Sequence, residues 1–339
     1  MEPSGRERVL ASLDFRLQGR VPRQLWTLPW AEMHHREALE RLRERYPPDI
    51  VGAPRSLRLP LRERGDQHGV GTYVDEWGAE FENIQPGVIG EVRRPAIERW
   101  DDLSRVRFPT ETLSVDVDAV DRFCRSTDLF VLAPCVARPF ERLQFLRKSE
   151  DLYVDLLERP PGLPEFIRRM HRFYVDEMEL WASTRVDALF FMDDWGGQRS
   201  LLVSPQLWRE LFKPLYRDYI EIAHRAGKRA FMHSDGWILP IIPDLVELGL
   251  DALNSQVFCM GLDALAPFRG RITFWGEVDR QRLLASAAVE EVEAAVRAVA
   301  ARLAARGGVI AQCEFGAGAR PENVEAVFRA WDSCGAGGA

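Results

Sequence analysis

With 339 residues, 46% of them hydrophobic and 29% charged, the chain can bury one large α/β barrel or two modest domains. Its net charge of −7, with the basic residues scattered, offers no stripe for a phosphate backbone, and no window approaches the ~20 uncharged apolar residues that a membrane helix needs. Nucleic acid and membrane are therefore not expected partners, and because the opening "MEPSGRERVLASLDFRLQGR" has no apolar export segment, the expected compartment is the cytoplasm.

Eight β-rich runs follow one another along the chain: residues 24–30, 48–53, 129–135, 186–194, 228–235, 250–257, 271–278 and 307–314. Several are near-continuous apolar runs, as strands buried on both faces require. Between them the apolar spacing predicts helices over Glu165–Ser183, over Pro205–Ala226 with Ser204 as cap, and over Val289–Arg306 with Gly307-Gly308 as the stop. Strand and helix alternating eight times predicts a (β/α)8 TIM-type barrel, with a doubly wound open sheet as the competitor. The interval 54–128 is mostly outside that repeat. Within it, 71–95 reads as a two-stranded β-hairpin insertion over the site, with turns at Gly78 and Gln85-Pro86-Gly87. No composition break argues for a second domain, so residues 1–333 are expected to form one barrel, followed by a disordered tail at 334–339.

In such a barrel, chemistry belongs at the carboxyl ends of the strands. Those ends hold Asp193, Asp194 and Trp195, then His233 and Asp235, Asn254 and Gln256, Glu277, and Cys313 with Glu314. Imidazole, carboxylate and thiolate together suit a tetrahedral Zn²⁺ with one open position, so His233, Asp235, Glu277 and Cys313 form the candidate metal set. Spacing alone equally allows His233 and Asp235 to cap a loop, Glu277 to pair with one of 42 arginines, and Cys313 to be a small buried hydrophobe. Asp193 and Asp194 are the candidate catalytic carboxylates. Because successive strand side chains alternate, one should face the site and the other should bond loop amides. Trp195, Trp30, Asn254 and Gln256 are the candidate substrate-binding residues. The remaining histidines, 34, 35, 68, 171 and 224, read as solvated or locally bonded. Five widely spaced cysteines without a CxxC argue against a disulfide framework.

The segments 6–22, 71–92, 192–254, 271–279 and 320–328, and above all "MDDWGGQ…KRAFMHSDGW", resemble the uroporphyrinogen decarboxylase superfamily, in the branch related to cobamide-dependent methyltransferases. The resemblance implies the same barrel and two alternative chemistries. In the methyltransferase branch, zinc is held by a His-x-Cys and a later Cys and activates a thiol toward a corrinoid-borne methyl group. This sequence keeps His233 and Cys313 but has Asp235 for the middle cysteine, so Asp235 is either a ligand or a hydrogen-bonding partner of His233. In true decarboxylases no cofactor is used and an Arg-x-x-Gly-Arg segment after the first strand holds substrate carboxylates; here Arg16-Leu17-Gln18-Gly19-Arg20 precedes that strand, and "LWTLPWAEMHH" follows it. The expected activity is therefore a zinc-dependent methyltransferase or demethylase, the alternative a metal-independent decarboxylase. The expected partners are a small-molecule substrate, a corrinoid supplied by a carrier protein in trans, and a second copy of the chain in a homodimer.

Overall fold

The apolar runs pair side by side because each must bury both faces. In the computed structural model, which describes residues 2–335, they become β1 (Arg23–Thr27) and β2 (Ile50–Gly52), then, after the insertion strands β3 (Gly71–Val74), β4 (Glu80–Asn83) and β5 (Glu91–Arg94), β6 (Phe130–Pro134), β7 (Ala188–Met192), β8 (Arg229–Ser234), β9 (Ala252–Ser255), β10 (Thr273–Trp275) and β11 (Val309–Phe315). The parallel sheet runs β1-β11-β10-β9-β8-β7-β6-β2. Its two end strands meet where the Asp49 N–H donates to the Arg23 carbonyl at 2.9 Å and the Arg23 N–H donates to the Asp49 carboxylate at 2.8 Å. Once β3–β5 are set aside, every neighbour in this ring is also a neighbour in chain order. The sheet has no switch point, and the doubly wound alternative is ruled out in favour of the TIM-type barrel.

Alternation sorts each strand into an inner and an outer face. Ile50, Phe130, Ala188, Phe231, Ala252, Trp275 and Ile310 fill the interior, with Trp26 and Phe190 above them, while Val131, Leu189, Met232, Leu253, Phe274 and Ala311 pack outward under the helices. The helix Gly5–Leu13, capped by Ser4, inserts Val9 and Leu13 into the interior cluster and closes the amino end of the barrel. At that same end Arg8 and Arg20 converge on Asp49, and Arg16 pairs with Asp14 at 2.8 Å. The Arg16–Arg20 segment therefore lies at the end of the barrel away from the strand termini that carry the site.

Three sequence expectations need correction. The insertion is a three-stranded antiparallel sheet, β3-β4-β5, because Gly78 and the Gln85–Gly87 turn each reverse the chain. The helix expected over Pro205–Ala226 is two, Pro205–Leu211 and Lys213–Arg225. Pro214 has no N–H to give to the carbonyl four residues back, and the chain turns at Phe212; the Ser204 cap is present, accepting from Leu207 N–H at 3.2 Å. Cys334, expected in the tail, is the last residue of the final helix, Pro321–Cys334; the rest of the expected tail from 336 to 339 lies outside the described residues. No helix among the described residues is long and apolar enough to cross a membrane.

One buried arginine fastens the insertion to the barrel. Arg142, on the helix Pro139–Arg147, pairs with Asp75, reaches Glu76 at 3.2 Å, and lies over the rings of Trp77 at 5.2 Å and Phe145 at 5.5 Å. Asp75 also accepts from the N–H groups of Trp77 and Ala79, at 3.1 and 2.8 Å, so it shapes the turn it anchors. Removing the guanidinium would strand a buried carboxylate. Arg142→Met should lower unfolding stability by about 3–5 kcal/mol in urea titrations; a loss under about 1 kcal/mol would show that the pair is not what fixes the insertion.

Candidate functional site

At the carboxyl end of the barrel the inner-face positions become polar. His233 ends β8 inside the barrel and is buried, its ring 5.4 Å from that of Trp26. Its Nδ1 lies 2.6 Å from Asn254 Oδ1, and Asn254 Nδ2 donates to the Trp275 carbonyl at 2.5 Å. That second bond fixes the amide: its oxygen must face the imidazole, so Nδ1 carries a proton and Nε2 is directed at the mouth. There Asp194 Oδ1 and Asp235 Oδ1 stand 3.5 and 3.6 Å from Nε2. Burial alone would lower the imidazole, but Asp194, Asp235 and Glu277 together raise it above its ordinary value.

Asp194, His233 and Asp235 are the set of three metal-ligating side chains whose donor atoms lie within 4.8 Å of one another among the described residues. Of the four residues expected to hold a metal, two are brought together here and two are not. Cys313 sits on the outer face of β11. Its register partner is Leu25, which packs against the outer core, whereas the interior positions go to Gln312 and Glu314, the latter beside Trp26. One step of alternation thus removes the thiol from the mouth, and burial pushes it far above its usual range. Glu277 does face inward but stands behind Arg280, which reaches its Oε1 at 3.3 Å, Glu314 at 3.4 Å and Asp235 more closely still. Glu277 is 2% exposed, and its Oε2 has no partner among the described residues; burial, opposed by Arg280, lifts its carboxyl to about 7.

The two adjacent aspartates part company as alternation requires. Asp193 points outward, fully buried, and accepts from the N–H groups of Phe140 and Glu141 at 2.8 and 2.6 Å and from the Tyr216 hydroxyl at 2.6 Å. Burial lifts its carboxyl to about 8 against those three bonds. It holds the start of the Pro139–Arg147 helix and does not reach the mouth. Asp194 points in and accepts the Asp235 N–H at 3.0 Å. Trp195, expected in the pocket wall, is buried in the helix layer, stacked on Phe140 at 4.1 Å and donating to Tyr216 at 2.7 Å. Its outward position, shared with Asp193 on the same strand-to-loop turn, puts it away from the cluster.

The remaining expected residues frame the rim. Gln256 accepts the Gly236 N–H at 3.2 Å and lines a cavity of about 300 Å³ with Phe258, Cys259, Glu277 and Arg280. Trp30 lies on the short helix after β1, stacked on His34 at 4.6 Å and close to Gly87 of the insertion. A second cavity, of about 560 Å³, runs between the insertion sheet and the Pro139–Arg147 helix and ends on Asp194. The loops after β7 and β8 are stitched together by bonds from Gly196 N–H to the Asp235 carbonyl, 3.1 Å, and from Trp237 N–H to the Gly197 carbonyl, 2.8 Å. A Cβ at Gly196 would meet Trp237 N at 2.3 Å and one at Gly236 would meet Gly196 O at 2.0 Å, so both must be glycine for Asp194 and Asp235 to come this close.

The sequence does not single out Arg280, and it places Glu314 at a strand end without a role. One arginine among 42 gives no signal of its own. Glu314 was legible in principle: in "VIAQCEF" the polar residues alternate with apolar ones, which sets Gln312 and Glu314 on one face and Cys313 on the other.

Comparison with curated proteins gives no significant match. Among solved structures the chain is similar to the methyltransferase from Methanosarcina mazei, with 16% identity and a TM-score of 0.64 over 98% of this chain and 99% of that one, a likeness of fold. A glycosylated endo-β-1,4-xylanase from Gloeophyllum trabeum overlaps 63% of this chain and 79% of its own at 11% identity; its TM-score of 0.38 is too low to argue from. The profile for uroporphyrinogen decarboxylase (URO-D) matches residues 74–334, well over half of the sequence. The chain belongs to the uroporphyrinogen decarboxylase family.

Proposed function

We propose that the protein is a metal-assisted methyltransferase or demethylase that handles a small substrate at the barrel mouth. The observation that carries this reading is the convergence of Asp194, His233 and Asp235 from two adjacent strand ends. One imidazole and two carboxylates suit a divalent ion such as Zn²⁺ and leave a coordination position for a substrate atom. The donor chemistry fits: Nε2 of His233 is freed by the Asn254 bond, and the buried Asp235 Oδ1 has no hydrogen-bond partner among the described residues. With no thiolate in the set, the site favours an oxygen-bearing ligand over the thiol of the zinc methyltransferases that the sequence resembles. When bound, the ion would supply Lewis acidity to a substrate oxygen at that position.

The chain's own groups set up that step. Asn254 fixes the imidazole ring, Arg280 offsets part of the carboxylate charge, and Glu277, poised near neutrality with a free oxygen, can hold or release a proton at Oε2. A corrinoid on a carrier protein is the methyl carrier that the resemblance implies. The metal-free decarboxylase alternative needs fixed arginines for a polycarboxylate, whereas Arg16 and Arg20 lie at the far end of the barrel and Arg280 is already engaged by three carboxylates. Uroporphyrinogen should not be turned over.

Elemental analysis of purified protein equilibrated with zinc and then desalted should find about one ion per chain. His233→Ala and Asp194→Asn should lose it, and Cys313→Ser should keep it while melting at a lower temperature, since a hydroxyl then sits in an apolar layer. Loss of the ion in Cys313→Ser with unchanged melting would return the thiol to the site. Proton competition gives a second test. Because the His233 imidazole is raised, it is protonated over a wider range than a free histidine, and the ion must displace that proton. Zinc affinity, measured by competition with a chromophoric chelator, should therefore fall as pH drops from about 8 to about 6, up to about tenfold per unit for each competing proton. A flat profile would exclude His233 as a ligand.

A further inference from the structure

The mouth carries more negative charge than one divalent ion neutralises. Asp194, Asp235, Glu277 and Glu314 all take inward positions, and Arg280 is the guanidinium that reaches the last three. An ion at Asp194–His233–Asp235 together with Arg280 leaves one carboxylate charge unmatched. The approaches share this bias. Glu91, Glu141 and Glu150 line the larger cavity with Lys148 and Arg93, of which Arg93 is paired with Glu82 at 2.5 Å and Glu141 with Arg138 at 2.9 Å; the smaller cavity has Glu277 and Asp279 against Arg280.

Two further observations point to what fills the gap. Glu277 is 2% exposed with an unpartnered Oε2, an arrangement that burial makes costly unless a ligand group meets it. Beneath the carboxylates lies an aromatic floor: Trp26 packs against Trp275 at 5.2 Å and Phe190 at 6.0 Å and lies under the His233 ring. Trp275 is fully buried, but Trp26 and Phe190 keep accessible surface, which faces the mouth because the Gly5–Leu13 helix closes the other end. Carboxylates together with accessible aromatic surface are the groups that hold an organic cation, by charge on one side and ring quadrupole on the other.

We propose that this mouth binds a monocationic onium compound, a methylated amine or sulfonium, with its charged centre between Glu277 and the Trp26 face. The inference rests on reading the strand-end cluster as the substrate site. It makes the small substrate a cation whose charge completes the neutralisation begun by the metal and Arg280. It also accounts for the acidic approaches, which would repel a polycarboxylate and draw in a cation.

The test uses the full chain, zinc-loaded, with choline as probe and 3,3-dimethylbutan-1-ol as its neutral isostere, followed by calorimetry and tryptophan fluorescence. Choline should bind at least about tenfold more tightly than the isostere, and more weakly as salt rises. Glu277→Gln, which keeps the shape, and Trp26→Leu should each weaken choline by about tenfold while leaving the isostere unchanged; thermal unfolding identifies any variant that has lost its fold, and the comparison of the two probes on the wild-type chain stands without either. Equal binding of both probes, or no binding of choline, overturns the inference. Elemental analysis of the same samples separates the two readings: absent choline binding with one zinc retained overturns this inference alone, and choline binding to a chain that holds no zinc overturns the metal alone.

Discussion

A β-strand offers its two faces to alternate residues, and in a closed barrel one face is the site and the other is the helix layer. That constraint decides nearly everything at the mouth of this protein. Asp194, His233, Asp235, Asn254, Glu277 and Glu314 share the inner parity of their strands, while Asp193, Ser234 and Cys313, each one residue away, are turned outward and do structural work. The outward set is no less specific. Ser234 accepts the Trp195 N–H at 3.1 Å, and Asp193 gathers the first amides of the Pro139–Arg147 helix, so the scaffold that carries the site is tied down by the neighbours of the site residues themselves.

Gathering carboxylates inside a barrel is expensive unless something positive joins them. The chain answers differently at its two ends. At the amino end Asp49 is enclosed by Arg8, Arg20 and the Arg23 N–H, and none of these side chains keeps a buried polar atom without a partner among the described residues. At the carboxyl end Arg280 is shared among three carboxylates, and polar atoms of Asp235, Glu277 and Gln312 stay unpartnered among the described residues. The contrast separates a fully partnered end from one whose polar groups are left short of partners, as the proposed binding site requires.

The sequence made the barrel legible because each strand announces itself by composition and its end by punctuation, and all eight runs fall where strands form. It made His233, Asp235 and the division of labour between Asp193 and Asp194 legible for the same reason, through alternation at a strand end. Two features resisted. Cys313 drew attention as a thiol, although the parity of "VIAQCEF" argues against it once Gln312 and Glu314 are weighed together. Arg280 carries little local pattern, since only Glu277 is near it in sequence, while Asp235 and Glu314 come from 45 and 34 residues away. The break at Phe212 was readable from Pro214, and the third insertion strand from the second turn.

Bringing Asp194 and Asp235 to one imidazole requires two loops to touch backbone to backbone, and the Gly196–Gly236 contact is the means. That contact, the Asp235 N–H bond to Asp194 and the Asn254 clamp on His233 leave the cluster little freedom to rearrange. A rigid set of like charges cannot relieve its repulsion by moving apart; it can only take up protons or cations. The raised His233 imidazole and the Glu277 carboxyl lifted to about 7 are the proton-bound answer. The proposed divalent ion with an organic cation would be the ligand-bound one. Both follow from the same preorganised geometry, so proton uptake and the proposed ligand binding would be competing ways of satisfying one electrostatic deficit.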